Sequence, residues 1–396
     1  MQTIPYGRQD INQADIDAVV AVLRSDFLTQ GPVVPRFEQA LAAYCGASHA
    51  VAVNSATSAL HIACLALGVG PGDMVWTSPV TFVASSNCAL YCGAQVDFVD
   101  IDPATWNMSV PALEAKLLAA EAAGDLPKVV IPVHLCGNPC DMAAIHALGQ
   151  RYGFHIIEDA SHAVGGRYLG EPIGSCQYSD IAVLSFHPVK IITTAEGGMA
   201  LTNDPALAQR LTLLRSHGIT REVERMTGEV DGPWYYEQQD LGFNYRLTEL
   251  QAALGLSQMR RLDEFVARRH VLAQRYDELL SAYPLQLPAR SPAAHSALHL
   301  YVVRLKPGAA AASHLDVFKG LRAAGVGVNL HYMPVYLQPY YRRLGFQPGH
   351  CPQAELYYAQ AISLPMFSAL AEQQLDYVVD TLGDLLGIHT PMAAAH

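Results

Sequence analysis

One lysine, Lys190, follows an apolar run in the stretch SDIAVLSFHPVKIITTAEGG, residues 179–198. An amine is a nucleophile only once it has lost its proton, so Lys190 can react near neutral pH only where partial desolvation lowers its pKa. Residues 181–184 predict a buried strand, and Pro188 argues against a helix running smoothly through the segment. The chain therefore turns at His187–Pro188 and leaves Lys190 over the strand ends. A second reactive stretch, Glu158-Asp159-Ala160-Ser161-His162-Ala163, follows the apolar run 154–157. A carboxylate at the carboxyl end of a parallel strand lies where open α/β sheets bind ligands. Alone, Lys190 reads as a solvated turn residue and Asp159 as a helix cap. Together they point to a site.

Hydroxyls supply a third kind of chemistry. Residues 50–53 read as a short strand, followed by Asn54-Ser55-Ala56-Thr57-Ser58-Ala59-Leu60-His61 and a small-residue helix. Free backbone donors and hydroxyls at such a helix start can hold a dianionic phosphate. The plainer reading is a helix cap.

The elements that must position these residues alternate short apolar strands with helical connectors. Strands are expected at 74–77, 95–99, 128–133, 155–157 and 199–202, and helices at 12–24, 34–44, 82–92, 142–152 and 205–216. This is the rhythm of a mainly parallel sheet covered by helices. No G-x-G-x-x-G follows the first strand, so a dinucleotide reader is not indicated. Residues 218–239 read as a long polar and aromatic loop, long enough to suggest a lid, a partner contact or a substrate cover. Helices are then expected at 250–259 and 260–280, strands at 298–305 and 326–330, and helices at 315–324 and 371–386. At 396 residues the chain exceeds a single-core size. We read residues 1–259 as a large domain, 260–390 as a smaller α+β domain and 391–396 as a tail.

Composition narrows the function classes. With 51% hydrophobic and 15% charged residues, disorder is not expected. A formal net charge of −11 gives no basic field for nucleic acid. Apolar stretches stop well short of a membrane span, and the early polar residues do not resemble a signal peptide, so the expected compartment is the cytoplasm. Eight dispersed cysteines do not suggest a disulfide scaffold; Cys88-x3-Cys92 and Cys136-x3-Cys140 read as packing or pocket residues, and no metal site is expected.

Separated motifs, SATSALH, EDASHA, SFHPVK, TAEGG and LGFNYR, resemble the DegT/DnrJ/EryC1/StrS sugar aminotransferases over nearly the whole chain. The resemblance implies the α/β fold type I of pyridoxal-phosphate-dependent aminotransferases. It makes Lys190 the catalytic lysine, holding pyridoxal 5'-phosphate as a Schiff base that alternates with pyridoxamine 5'-phosphate. Asp159 then pairs with the pyridine nitrogen, Phe82 stacks on the ring, and Thr57, Ser58 and Ser185 meet the phosphate. His162 stands where many relatives have glutamine. Asn244 matches the asparagine that reaches the phosphate of the partner subunit's cofactor, which implies a homodimer with shared sites. Thr29, Arg246, His331 and Tyr332 are substrate candidates.

The combination EDASHAVGGRYLGEPIGS, SFHPVKIITTAEGG and HYMPVYLQPYY looks most like the branch making pseudaminic-acid precursors. That implies L-glutamate as amino donor and a UDP-linked 4-ketosugar as acceptor. Another nucleotide-4-ketosugar aminotransferase, making a perosamine, bacillosamine or aminoarabinose precursor, remains open. A sugar dehydratase of the same fold is disfavoured because Lys190 is retained. A nonenzymatic cofactor-binding regulator lacks any DNA-binding appendage.

Overall fold

The computed structural model describes residues 3–306, 308 and 312–388; the tail 391–396 lies outside the described residues. Between residues 49 and 202 the apolar runs become the seven strands of one sheet. They are β1 His49–Val53, β2 Met74–Thr77, β3 Gln95–Phe98, β4 Val129–Ile131, β5 His155–Asp159, β6 Ile181–Ser185 and β7 Gly198–Thr202. Their spatial order is β1-β7-β6-β5-β4-β2-β3. Strands β3, β2, β4, β5 and β6 run parallel, and β7 is antiparallel to both of its neighbours.

Every residue of β6 is buried, because the strand has helices over both of its faces. Its side chains divide with the period of two that a pleated strand imposes. Ile181 and Val183 enter the core under the helix Ala56–Ala66, with Leu60 and Ile62. Ala182 and Leu184 enter the opposite core, with Phe37 and Leu41 of Val33–Cys45 and Ile145 of Met142–Tyr152. The helix starts are chemically marked. Asn12 and Asp15 form a reciprocal capping box, and Ser55 caps the helix Ala56–Ala66.

A second, three-stranded antiparallel sheet, Leu285–Gln286, Tyr301–Leu305 and Ala361–Leu364, builds a third core with helices His314–Ala323 and Glu372–Leu386. The long helix Leu262–Leu280 belongs to two cores. Leu262, Phe265 and Val266 pack with the large sheet, whereas Leu272, Ala273, Tyr276 and Leu280 pack in the third core. Ile4 also lies in the third core, and its backbone exchanges hydrogen bonds with Gly325 and Gly327. The start of the chain therefore sits on the C-terminal part of the molecule.

Two expected elements need correction. Residues 326–330 are not a strand: Val326 and Val328 are buried as the alternation requires, but the backbone divides its partners. Gly327 donates to Ile4, and Asn329 bonds with Ser363, so no continuous ladder forms. Residues 218–239 are not a featureless loop. Ile219–Thr220 pairs antiparallel with Glu237–Gln238, and Val223–Arg225 makes a short 3-10 turn. The helices Val110–Ala123, Pro339–Arg343 and Pro352–Tyr358 were not anticipated.

One buried charge gathers separate backbone segments of the C-terminal part. Arg269, 2% exposed, donates through Nη1 to the carbonyls of Leu298, His299 and Met366, each at 3.1 Å. Buried carbonyls that lose their donor keep the full desolvation penalty. Arg269→Ala should therefore cost about 3 kcal/mol and lower the melting temperature in calorimetry. An unchanged melting temperature would show that the three carbonyls find other donors.

Candidate active site

The strands β5 and β6 lie side by side and parallel, so Asp159 and Ser185 end at the same edge of the sheet. Both open into a cavity of about 750 Å³. The chain leaving β6 makes a loop closed at its neck. Phe186 N–H donates to Gly197, while Thr194 N–H and Thr193 Oγ1 both donate to the Phe186 carbonyl. Within this loop Lys190 N–H donates to His187, and the side chain returns to the cavity. Burial pulls the Lys190 amine down to about 8, with the nearby Asp159 carboxylate opposing the shift. Nζ makes no hydrogen bond or ion pair among the described residues. It is an amine available for reaction.

Asp159, 5% exposed, is held on both oxygens. Ser85 Oγ donates to Oδ2 at 2.6 Å, and Ser161 donates to Oδ1 through Oγ at 2.6 Å and through its N–H at 3.2 Å. Thr81 Oγ1 shares a hydrogen bond with Ser85 Oγ at 2.7 Å. The neighbouring Glu158 serves a different purpose. It accepts from Ser179 and pairs with buried His134 on the other side of the strand. Contacts with Cys140 and Glu158 raise the His134 pKa to about 10 against the lowering effect of its burial.

Helix Ala56–Ala66 starts at the cavity, with Ser55, Ala56 and Thr57 lining it. The N–H groups of a first helical turn have no acceptor within the helix and favour an anion. Gly198 lets β7 approach this turn closely: a Cβ there would lie 2.5 Å from Ala56 N. The Ser185 side chain also faces the cavity.

Three histidines and two tyrosines make the opposite wall. His162 Nε2 and Tyr332 OH share a hydrogen bond at 3.3 Å, and the His162 and His299 rings lie 4.5 Å apart. His331 Nδ1 bonds with Ser363 Oγ at 2.8 Å, and its ring contacts Tyr6 at 5.3 Å. Burial first, then the Lys190 charge, holds His162 well below the usual imidazole range and His331 at about 4. Burial, aided by His162 and Lys190, does the same to His299. At neutral pH these rings are uncharged.

The cavity thus brings together Thr57, Phe82, Asp159, His162, Ser185, Lys190, His331 and Tyr332. Phe82 is 58% exposed, with its ring 6.4 Å from that of Tyr332, so it is not a core residue. Ser58 is turned away, its hydroxyl donating to Asn54 Oδ1 at 2.6 Å. Thr29 and Asn244 are exposed elsewhere, and Arg246 donates to Ser216 Oγ at 2.9 Å. None of these four lines the cavity of its own chain. Sequence reasoning missed Ser85, Tyr6 and His299. Ser85 is 74 residues from Asp159 in the chain, and only the tertiary fold joins them.

The family model described as the DegT/DnrJ/EryC1/StrS aminotransferase family matches residues 9–383. The chain belongs to that family. It is 37% identical over 386 residues to the spore coat polysaccharide biosynthesis protein SpsC of Bacillus subtilis, and the alignment covers 97% of each chain. It is 36% identical over 384 residues to the UDP-4-amino-4,6-dideoxy-N-acetyl-beta-L-altrosamine transaminase of Campylobacter jejuni, again over 97% of each. Among solved structures it resembles the putative sugar aminotransferase Spr1654 of Streptococcus pneumoniae at 30% identity. The PLP-form gives a TM-score of 0.87, over 98% of this chain and 100% of that one. The PMP-form gives 0.88, over 97% and 99%.

The fold is therefore the α/β fold type I of pyridoxal-phosphate-dependent aminotransferases. Members of the DegT/DnrJ/EryC1/StrS family depend on pyridoxal 5'-phosphate, and the cavity fits such a group. It holds an unpartnered amine of lowered pKa, an oriented carboxylate and a helix start suited to a dianion.

The Lys190 pKa gives a direct test. Capture of pyridoxal 5'-phosphate by the apoprotein requires the free amine, so its rate should climb with pH and level off above about 8. Because Asp159 raises the lysine pKa, Asp159→Asn should move the plateau to lower pH. Borohydride fixation and mass spectrometry should find the adduct on the Lys190 peptide and none in Lys190→Ala. A rate still rising toward about 10.4, the ordinary lysine value, would contradict a desolvated amine.

Proposed function

We propose that this aminotransferase carries the amino group of L-glutamate to C4 of UDP-2-acetamido-2,6-dideoxy-beta-L-arabino-hexos-4-ulose. The products are 2-oxoglutarate and UDP-4-amino-4,6-dideoxy-N-acetyl-beta-L-altrosamine. The cofactor is pyridoxal 5'-phosphate. The observation that carries the reading is the free Lys190 amine beside the twice-held Asp159 carboxylate, in one cavity with the neutral His162, His331 and Tyr332 wall. The substrate choice draws on the likeness to the Campylobacter transaminase over 97% of the chain.

In this reading Lys190 would hold the aldehyde of the cofactor and Asp159 its ring nitrogen. Phe82 would cover one face, and His162 would stand near the ring edge. Thr57, Ser185 and the N–H groups of the helix start would hold the phosphate, completed by Asn244 of the partner subunit. Ser58 would support this turn through its bonds with Asn54 and Ser55. When bound, pyridoxal phosphate supplies an electron sink for a broken C–H bond. Lys190 supplies the proton transfers. Its Nζ takes the α-proton of glutamate in the first half-reaction and delivers a proton to sugar C4 in the second, which sets the stereocentre. A pKa of about 8 suits an amine that must both accept and return a proton near neutrality.

Thr29, Arg246, His331 and Tyr332 are proposed to meet the sugar nucleotide, Thr29 and Arg246 from outside their own chain's cavity. The division into residues 1–259 and 260–390 is part of the same reading. Asp159, Ser185 and Lys190 come from the first part, while His331 and Tyr332 come from the second. No helix among the described residues is long and apolar enough to cross a membrane. A cytoplasmic location, where glutamate and UDP-sugars are supplied, is proposed. A second reading, another nucleotide-linked 4-ketosugar as acceptor, is kept because the chain is as similar to SpsC, a spore coat polysaccharide biosynthesis protein, over the same length.

Two experiments test this reading. Enzyme in the pyridoxamine phosphate form should aminate the beta-L-arabino ketosugar in preference to its D-xylo epimer. A misplacement of about 1 Å at the reacting carbon costs roughly 100-fold in rate. Product C4 configuration is read by NMR, and equal efficiency with the D-xylo epimer would remove the substrate assignment while leaving the aminotransferase intact. For the shared site, Asn244→Ala mixed with Lys190→Ala should form heterodimers with one intact site and regain part of the activity. Mass-verified heterodimers without any recovery would place Asn244 in another role.

A further inference from the structure

Glu249 is a carboxylate outside the cavity, and it is 0% exposed. It opens the helix Glu249–Met259, just after the stretch that carries Asn244 and Arg246. Its oxygens serve another helix. Oε2 accepts from Val33 N–H at 2.6 Å and Oε1 from Val34 N–H at 3.1 Å, the first two residues of Val33–Cys45. Pro32 holds the cap position of that helix and has no side-chain oxygen to offer. The Glu249 N–H in turn donates to the Leu28 carbonyl at 3.0 Å. One residue thus fastens both ends of the loop that contains Thr29.

A buried carboxylate is costly unless its oxygens are hydrogen-bonded, and the first N–H groups of a helix have no partner within it and favour negative charge. Each meets the need of the other. The fit is also close: a Cβ on Gly31 would lie 2.8 Å from Glu249 Oε2 and 2.6 Å from the Phe27 Cβ. Between the fastened ends Gln30 has a φ of 53°, a left-handed conformation that persists in such a residue only where its surroundings hold it. Thr29 precedes it and is exposed. The Asn244–Arg246 stretch has anchors of its own. Asn244 bridges to Ser216, Tyr245 N–H donates to the Arg215 carbonyl at 2.9 Å, and the Tyr245 carbonyl accepts from Asn54 N–H at 2.8 Å. Phe27 and Leu28 before Thr29, and Leu241 before Asn244, keep large apolar side chains exposed, as a face covered by a second copy of the chain would.

We propose that Glu249 is a positioning residue for the acceptor sugar nucleotide. Its carboxylate and N–H fix the Thr29 turn against the segment of Asn244 and Arg246, so that one chain presents all three as a single block to the cavity of its partner. The proposal rests on the reading above, in which these residues serve a site other than their own chain's cavity. It adds a division of labour within the block. Loss of the Glu249 contacts frees the Thr29 turn, while the backbone anchors keep Asn244 in place. Glu249 therefore governs the binding of the ketosugar and leaves the cofactor and glutamate untouched.

The test measures the two half-reactions of the full-length holoenzyme separately, using whichever of the two ketosugar epimers the wild-type enzyme aminates faster. Glu249→Gln keeps the volume but replaces one acceptor oxygen by a donor. It should raise the KM for the ketosugar roughly tenfold, the scale of one lost charge-assisted hydrogen bond. Its Kd for pyridoxal 5'-phosphate and its rate of conversion by L-glutamate, followed by cofactor absorbance, should match wild type. Gly31→Ala, which crowds Oε2 without removing it, should give the same split. Thr29→Ala should raise the same KM. If it does so while Glu249→Gln and Gly31→Ala do not, the role of Glu249 is overturned and that of Thr29 stands. If Thr29→Ala has no effect, the reading fails and takes the proposal with it. An equal fall in both half-reactions, with a lower melting temperature, would leave Glu249 a purely structural residue. Heterodimers fix the direction. In mass-verified pairs of Glu249→Gln with Lys190→Ala, the competent site joins Lys190 of the first chain to the intact Glu249 of the second, and its KM should be that of wild type. A raised KM there would show that Glu249 serves the cavity of its own chain and would overturn the proposal.

Discussion

The site depends on withdrawing one amine from water without pairing it. Burial at the neck-closed loop after β6 lowers the Lys190 pKa, and Asp159 on the adjoining strand limits how far it falls. Had the carboxylate been free to swing into an ion pair, the lysine would be held protonated and inert. Ser85 and Ser161 prevent that by occupying both oxygens. Much of the surrounding structure serves this arrangement. The parallel register of β5 and β6 puts Asp159 and Ser185 at one edge, and the helix of Ser85 must lie across that edge.

The three histidines extend the same logic. A charged imidazole beside Lys190 would lower the lysine further and repel a cationic ring; burial keeps all three neutral instead. Arg269 is a permanent cation that acts on His299 in this wall. Its guanidinium is turned toward backbone carbonyls, including that of His299, so it supports the wall from behind. Lys190, held at about 8, is a group in the cavity whose protonation changes near neutral pH.

The central sheet was legible because its strands are short, apolar and separated by capped helices. The apolar run of residues 181–184 and the small-residue helix after residue 54 were local features that the tertiary structure kept. That Lys190 and Asp159 line one cavity was legible because Asp159 closes one buried strand, Lys190 follows the next, and neighbouring parallel strands share an edge. What stayed hidden depends on distant contacts. Residues 326–330 have the alternation of a strand, but Ile4 and Ser363 divide their backbone bonds, and no local pattern records that. Ser85 reads as an ordinary helical serine until Asp159 is placed against it. His299 follows a polar, irregular stretch, and its ring meets His162 only through the fold.

The placement of Ile4 has a consequence for how the protein is made. Ile4 exchanges backbone bonds with Gly325 and Gly327, the Met366 N–H donates to Tyr6, and the Tyr6 ring lines the cavity against His331. Ile4 and Tyr6 thus find their partners only after more than three hundred further residues have been synthesised. The large sheet can form while the chain is still growing, since domains fold in the order in which they emerge. Its ligand cavity cannot. Completion of the wall waits for residues 325–366, so a stalled or truncated chain carries Lys190 and Asp159 in a sheet that is open on one side.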